Sequence, residues 1–152
     1  MKIIITESQY KKLMENEEQE VLHIPSLKYF NEDWDFLQEF LESEGNPPYS
    51  LGGNLDLVGL KVESLGNLVS VEHDLYAYDT PLKSLGSLTS VGGLMDLSNT
   101  QIESLGNLSF VGGRLDLKGT PLFTKYSSPR SMERMEDLIR RKVYVQGNIL
   151  YY

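Results

Sequence analysis

Apolar positions return every twenty residues between 51 and 124. Leu55, Leu75, Met95 and Leu115 form one column, and Leu57, Ala77, Leu97 and Leu117 another, two places on. That spacing is the strand period, in which alternate side chains point inward. Further columns are Val62, Leu82, Ile102 and Leu122, then Leu65, Leu85 and Leu105, then Leu68, Leu88 and Leu108, and finally Val71, Val91 and Val111. Every side of a coil therefore turns something inward. A fixed period of this length marks a solenoid, in which each repeat buries its apolar side only against its neighbours.

The polar positions repeat as well. Ser64-Leu65-Gly66-Asn67-Leu68 returns as Ser84-Leu85-Gly86-Ser87-Leu88 and as Ser104-Leu105-Gly106-Asn107-Leu108. The pairs Gly52-Gly53, Gly92-Gly93 and Gly112-Gly113 precede the expected strands and allow neighbouring coils to approach closely. A phosphate-cradling loop would need a following helix and a lysine, and neither is present.

The flanks do not follow the period. Ile3-Ile4-Ile5 is a short β-prone run, and Thr6-Glu7-Ser8-Gln9 has capping-box spacing. A helix is expected from there to about residue 16, with Tyr10, Leu13 and Met14 on one face, followed by an acidic loop over 15–20. A second helix is expected from Asn31 or Asp33, stopped by Gly45 and Asn46-Pro47-Pro48. Its Trp34, Phe36 and Phe40 are read as a lid over the first coil, because an open solenoid end must be covered. Near the other end, Ser131 is expected to cap a helix over 132–142. The Val145, Ile149 and Tyr151 pattern then resumes the repeat and predicts a terminal strand over 148–152. The organisation expected is one unit in three parts: 1–50 a strand, helix and cap, 51–124 the coils, and 125–152 a capping helix and final strand.

Composition narrows the function. The 152-residue chain has no cysteine, which excludes disulfides, thiolate metal sites and cysteine nucleophiles. No apolar run reaches membrane-spanning length, and the opening run is too short for a signal peptide. The net charge of −8 is uneven: residues 125–152 hold six Lys/Arg against three Asp/Glu, while residues 1–50 hold four against eleven. The basic end, with Arg130, Arg134, Arg140, Arg141 and Lys142, reads as the solvated face of a capping helix, with a docking patch for an acidic partner as the other reading. A nucleic-acid binder would need a broader basic face. His23 and His73 stand far apart, with no serine elbow or metal-ligand spacing around them, so no catalytic residue, metal or cofactor is expected.

The segments Leu75 to Leu82, Met95 to Ile102 and Leu115 to Leu122 fit Leu-x-Leu-x-x-Thr-x-Ile/Leu and resemble the leucine-rich repeat. The resemblance covers about half of the chain. It implies an α/β fold, a short solenoid of parallel strands with helical caps, whose outward strand residues bind proteins. The family's ladder asparagine is replaced by Thr80, Thr100 and Thr120, and a hydroxyl ladder is expected to take its place. With coils this short, no convex-side helices are expected. The wording of the repeats is similar to that of small leucine-rich-repeat proteins of tailed bacteriophages. The first thirteen residues are similar to an N-terminus shared by many phage proteins. This implies an address or processing tag, with Ile5-Thr6-Glu7 fitting a phage head-protease site, or else an ordinary strand and capped helix.

On that resemblance the outward columns are Asn54, Asp74, Leu94 and Arg114, then Asp56, Tyr76, Asp96 and Asp116, then Val58, Tyr78, Ser98 and Lys118. Asp96 and Asp116 are expected to repel as neighbours, with Arg114 relieving them. Two carboxylates fall short of a Ca²⁺ ligand set. The second coil departs most from the repeat: Glu72-His73 replaces the glycine pair, and Tyr76 and Tyr78 face outward beside Asp74. Exposed paired aromatics are common binding anchors. The protein-binding residues expected are therefore Asp56, Asp74, Tyr76, Tyr78, Asp96, Arg114 and Asp116. Glu63, Lys83 and Glu103 read as surface pairing between coils. The function expected is a non-enzymatic phage accessory module that binds a host or phage protein in the host cytoplasm. The alternative is a virion structural or packaged head protein. The 148–152 edge also allows weak self-association as an alternative to a monomer.

Overall fold

The computed structural model describes residues 6–9 and 20–152. Thr6 and Gln9 form the expected reciprocal cap: the Thr6 N–H donates to Gln9 Oε1 and the Gln9 N–H to Thr6 Oγ1. The isoleucine run and the rest of that helix and its loop lie outside the described residues.

The architecture is α/β and solenoid-like, with two sheets of parallel strands. The chain enters through β1 (Leu22–Ile24), a 3₁₀ turn (Leu27–Phe30) and α1 (Trp34–Ser43). Each following coil then contributes two short strands. They are β2 (Tyr49–Leu51) and β3 (Leu55–Asp56), β4 (Leu68–Val71) and β5 (Leu75–Tyr76), β6 (Ser90–Val91) and β7 (Met95–Asp96), and β8 (Phe110–Val111) and β9 (Leu115–Asp116). A helical turn α2 (Pro121–Thr124) and helix α3 (Pro129–Lys142) lead to β10 (Tyr144–Val145) and β11 (Ile149–Leu150). The first sheet runs β1-β2-β4-β6-β8-β10 and the second β3-β5-β7-β9-β11. An isolated parallel bridge between Ser64 and Ser84 marks a third side.

Pairing follows the period. Leu55 faces Leu75, Leu75 faces Met95, Met95 faces Leu115, and Ile149 takes the next place. The terminal strand predicted beyond the inserted helix thus pairs with β9. The first sheet was not foreseen as a sheet, since only its inward valines were legible. It also reaches back past residue 50, where β2 crosses the boundary expected between cap and coils.

The inward columns make one core. Leu55, Leu75, Met95, Leu115, Ala77, Leu97, Val91 and Val111 are completely buried. Fully burying such a side chain stabilises by about 1.5–3 kcal/mol. Asp33 starts α1 by accepting the Phe36 N–H, and Trp34, Leu37 and Leu41 cover the first coil. Phe36 does not join them. It is 46 % exposed and meets Phe30 edge-on, because it lies off the buried stripe of the helix. The cap of α3 is Ser128, not Ser131. Ser128 accepts the Ser131 N–H, the Ser131 hydroxyl takes back the Ser128 N–H, and Pro129 fits the first helical position.

The repeated polar letters close turns. Ser64, Ser84 and Ser104 accept the N–H of Gly66, Gly86 and Gly106, whose φ angles are 56°, 55° and 53°. Another left-handed corner is filled in successive coils by Gly59, Asp79, Asn99 and Gly119. These are residues that tolerate positive φ. At the paired glycines the constraint is space: a Cβ on Gly92 would run into the Glu72 carbonyl oxygen, and one on Gly112 into that of Gly92.

Thr80, Thr100 and Thr120 do not form a ladder between coils. Each buried hydroxyl donates within its own coil, to the carbonyls of Ala77, Leu97 and Leu117, all at 2.7 Å. A hydroxyl ladder does exist on the other sheet, where Thr89 Oγ1 donates to the Val69 carbonyl and Ser109 Oγ to that of Thr89.

Candidate functional site

The second sheet positions the candidate site. Its inward leucines alternate with outward residues, so the side chains flanking Leu55, Leu75, Met95 and Leu115 stand on one face, about 4.8 Å from coil to coil. All seven residues expected to bind lie on this face. They differ in how far they are already engaged.

Asp56, Asp96 and Asp116 are turn formers. Their Oδ1 atoms accept the N–H two residues on, at Val58, Ser98 and Lys118, at 3.0, 3.0 and 3.1 Å. Asp96 Oδ1 also accepts the Ser98 hydroxyl at 2.6 Å. The expectation that the aspartate column opposes stability is therefore corrected, since each carboxylate satisfies a backbone donor of its own coil, and bonds to charged acceptors are the stronger kind. Asp116 is buried, and the cation within ion-pair reach of it is Lys118 at 4.0 Å, not Arg114. Arg114 is exposed, one coil before the β11 end of the face.

Asn54 and Asp74 tie coils together. Asn54 Oδ1 accepts the Asp74 N–H at 3.0 Å, and Asp74 Oδ1 accepts the Leu94 N–H at 2.8 Å. The remaining Asp74 oxygen accepts the Tyr76 hydroxyl at 2.9 Å. The side chain that bridges coils is thus six residues ahead of the threonine column where the resemblance placed the ladder. Leu94 ends this ladder because it has no acceptor. The signal was present as amide and carboxylate at a twenty-residue spacing. The hydrogen bond to Asp74 is the main cause raising the Tyr76 phenol pKa, helped by desolvation and nearby negative charge. Tyr76 is half-buried, and Tyr78, two residues on, is exposed.

Beside β3 lies a cleft of about 660 Å³, lined by Lys28, Glu32, Asn54, Asp56, Val58 and His73 among others. Lys28 comes from the 3₁₀ turn and Glu32 from the turn that follows it, neither of which the sequence connected to the strand face. His73 and Glu72 are exposed. Among the described residues, no group of three or more His, Asp or Glu is placed to hold a metal ion, and no helix is long and apolar enough to cross a membrane. Glu63 and Lys83 meet across coils at 3.3 Å, both largely exposed.

Compared with family models, with curated proteins and with solved structures, the chain matches none.

Proposed function

We propose that this chain is a leucine-rich-repeat relative acting as a non-enzymatic protein-interaction module, a phage accessory protein that binds a host or phage protein through the outward face of its second sheet. The observation that carries the reading is the pair Tyr76 and Tyr78, which project from the coil departing most from the repeat, on a rigid parallel sheet, with Asp56 and Asp96 on either side. Tyr76 is held by Asp74, so its ring is ordered before a partner arrives, which lowers the entropy cost of docking. The Leu-x-Leu inward pattern supports the family reading. Two features depart from it: the threonines bond within their own coils, and the first sheet forms a further side of the coil.

The test is capture from infected cells with the full chain and with a Tyr76→Ala, Tyr78→Ala variant whose thermal unfolding matches it. A specific protein recovered by the parent and reduced at least about tenfold with the variant is expected, since anchor residues carry about 2 kcal/mol or more. Equal recovery by both proteins overturns the role of this face.

A further inference from the structure

We infer that the N-terminal edge of the second sheet is a one-strand-wide slot for an extended, basic peptide segment of a partner, which would add to β3 in parallel. The slot opens onto the strand face, so the assignment rests on that face being the binding surface.

The two sheets do not start level. The first has six strands and the second five, because β1 supplies only half a coil. After Ile24 the chain follows the coil path far enough for the Ile24 carbonyl to accept the Gly52 N–H. Ser26 then caps the 3₁₀ turn, and Leu27 dives into the core. The strand that should precede β3 is therefore missing, and the cleft beside Asn54, Asp56 and Val58 lies where it would run.

The backbone of β3 is set to pair there. Leu55 and Leu57 donate their N–H groups to the Asp74 and Tyr76 carbonyls of the next coil. In a parallel ladder the residue between them faces the other way. The N–H and C=O of Asp56 thus point toward the solenoid end, where no strand precedes it among the described residues. Such groups are a template for strand addition.

Charge selects the occupant. Residues 20–79 hold twelve Asp/Glu and two lysines, whereas residues 80–152 hold six Asp/Glu and nine Lys/Arg. In the slot itself stand Glu32 and Asp56, with Lys28 as the one lysine or arginine. A segment bearing Lys or Arg complements this end. A second copy does not fit. Its last coil ends level, with β10 on β8 and β11 on β9, and seating β11 on β3 would drive β10 into β1.

The experiment is an NMR titration of the full chain with a blocked seven-residue peptide of alternating lysine and valine, and with its glutamate counterpart. Expected are saturable binding of the lysine peptide tighter than about 1 mM, a shift of the Asp56 amide, and exchange there slowed at least about tenfold. Glu32→Gln should weaken binding about threefold, and raising the salt should weaken it further. Equal binding of the glutamate peptide overturns the charge assignment. Perturbation of Tyr76 and Tyr78 without Asp56 overturns the slot while leaving the strand-face reading standing. An Asp56 amide already slow to exchange in dilute, peptide-free protein overturns it too, because the edge is then occupied. Protection that grows with protein concentration hands the edge to a second copy and overturns the peptide.

Discussion

One carboxylate, Asp74, links the fold to the candidate site: Oδ1 holds the Leu94 N–H of the next coil at 2.8 Å, and Oδ2 holds the Tyr76 hydroxyl at 2.9 Å. Truncating it should be felt twice. Asp74→Ala is expected to lower stability by about 1–3 kcal/mol, because the Leu94 donor loses its acceptor, and to release the Tyr76 ring. Urea unfolding reads the first effect and the Tyr76 ring resonances the second. Asp74→Asn, which keeps an amide oxygen toward Leu94, should cost less than Asp74→Ala, and equal losses would count against this arrangement.

The same contact sets a pH dependence. Tyr76 donates only while protonated, and its pKa is raised in the folded chain by Asp74. The stabilisation is present below the ordinary tyrosine pKa near 10 and is lost as pH rises through the raised value. In Asp74→Asn the Tyr76 titration, followed by ring ¹³C shifts, should move back down toward the ordinary value.

Tyr49 gives a larger effect in the same direction. It is 1 % exposed, and burial pushes its pKa up to about 12, with the Gln38 bond pulling slightly the other way. Ionisation in the unfolded chain but not in the folded one should remove about 2–3 kcal/mol between pH 10 and pH 12. Tyr49→Phe should flatten that part of the stability curve, measured by urea unfolding at each pH.

Glycine substitutions should separate two causes. Gly92→Ala places a Cβ against the Glu72 carbonyl and is expected to cost about 1–3 kcal/mol by forcing two coils apart. Gly106→Ala meets nothing within 4 Å, but its φ is 53°, so its cost is conformational, about 1 kcal/mol. Forcing the coils apart should speed amide exchange across β4 and β6 in the Gly92 variant, while the Gly106 variant leaves those amides as they were.

Replacing Thr100 by valine removes a buried hydroxyl whose bond is internal to one coil. The expected loss is about 1 kcal/mol, that of one hydrogen bond, because the Leu97 carbonyl keeps the Thr100 N–H as a donor. A hydroxyl that bridged coils would instead loosen Thr80 and Thr120 as well. Thermal unfolding of the single variant and of the Thr80, Thr100 pair should therefore show additive losses.

Read along the chain, the period determined the inward columns, the terminal strand beyond α3 and the outward stance of Tyr76 and Tyr78, while capping chemistry outside the period marked the start of α1. Inward packing repeats with the coil, so apolar letters at equal spacing have one arrangement that buries them all. Polar letters at the same spacing carry no such restriction. Thr100 can donate within its coil, Thr89 to the coil before it, and Asp96 can serve its own turn while Asp74 serves the next coil. Which of these occurs depends on where each N–H and C=O points, and the three-dimensional path of the coil decides that. The half-coil step beside β3 was hidden for the same reason. It arises where Ser26 and Leu27 leave the coil path, a local competition between a capped turn with a buried leucine and one more strand, settled only when the core beneath is in place.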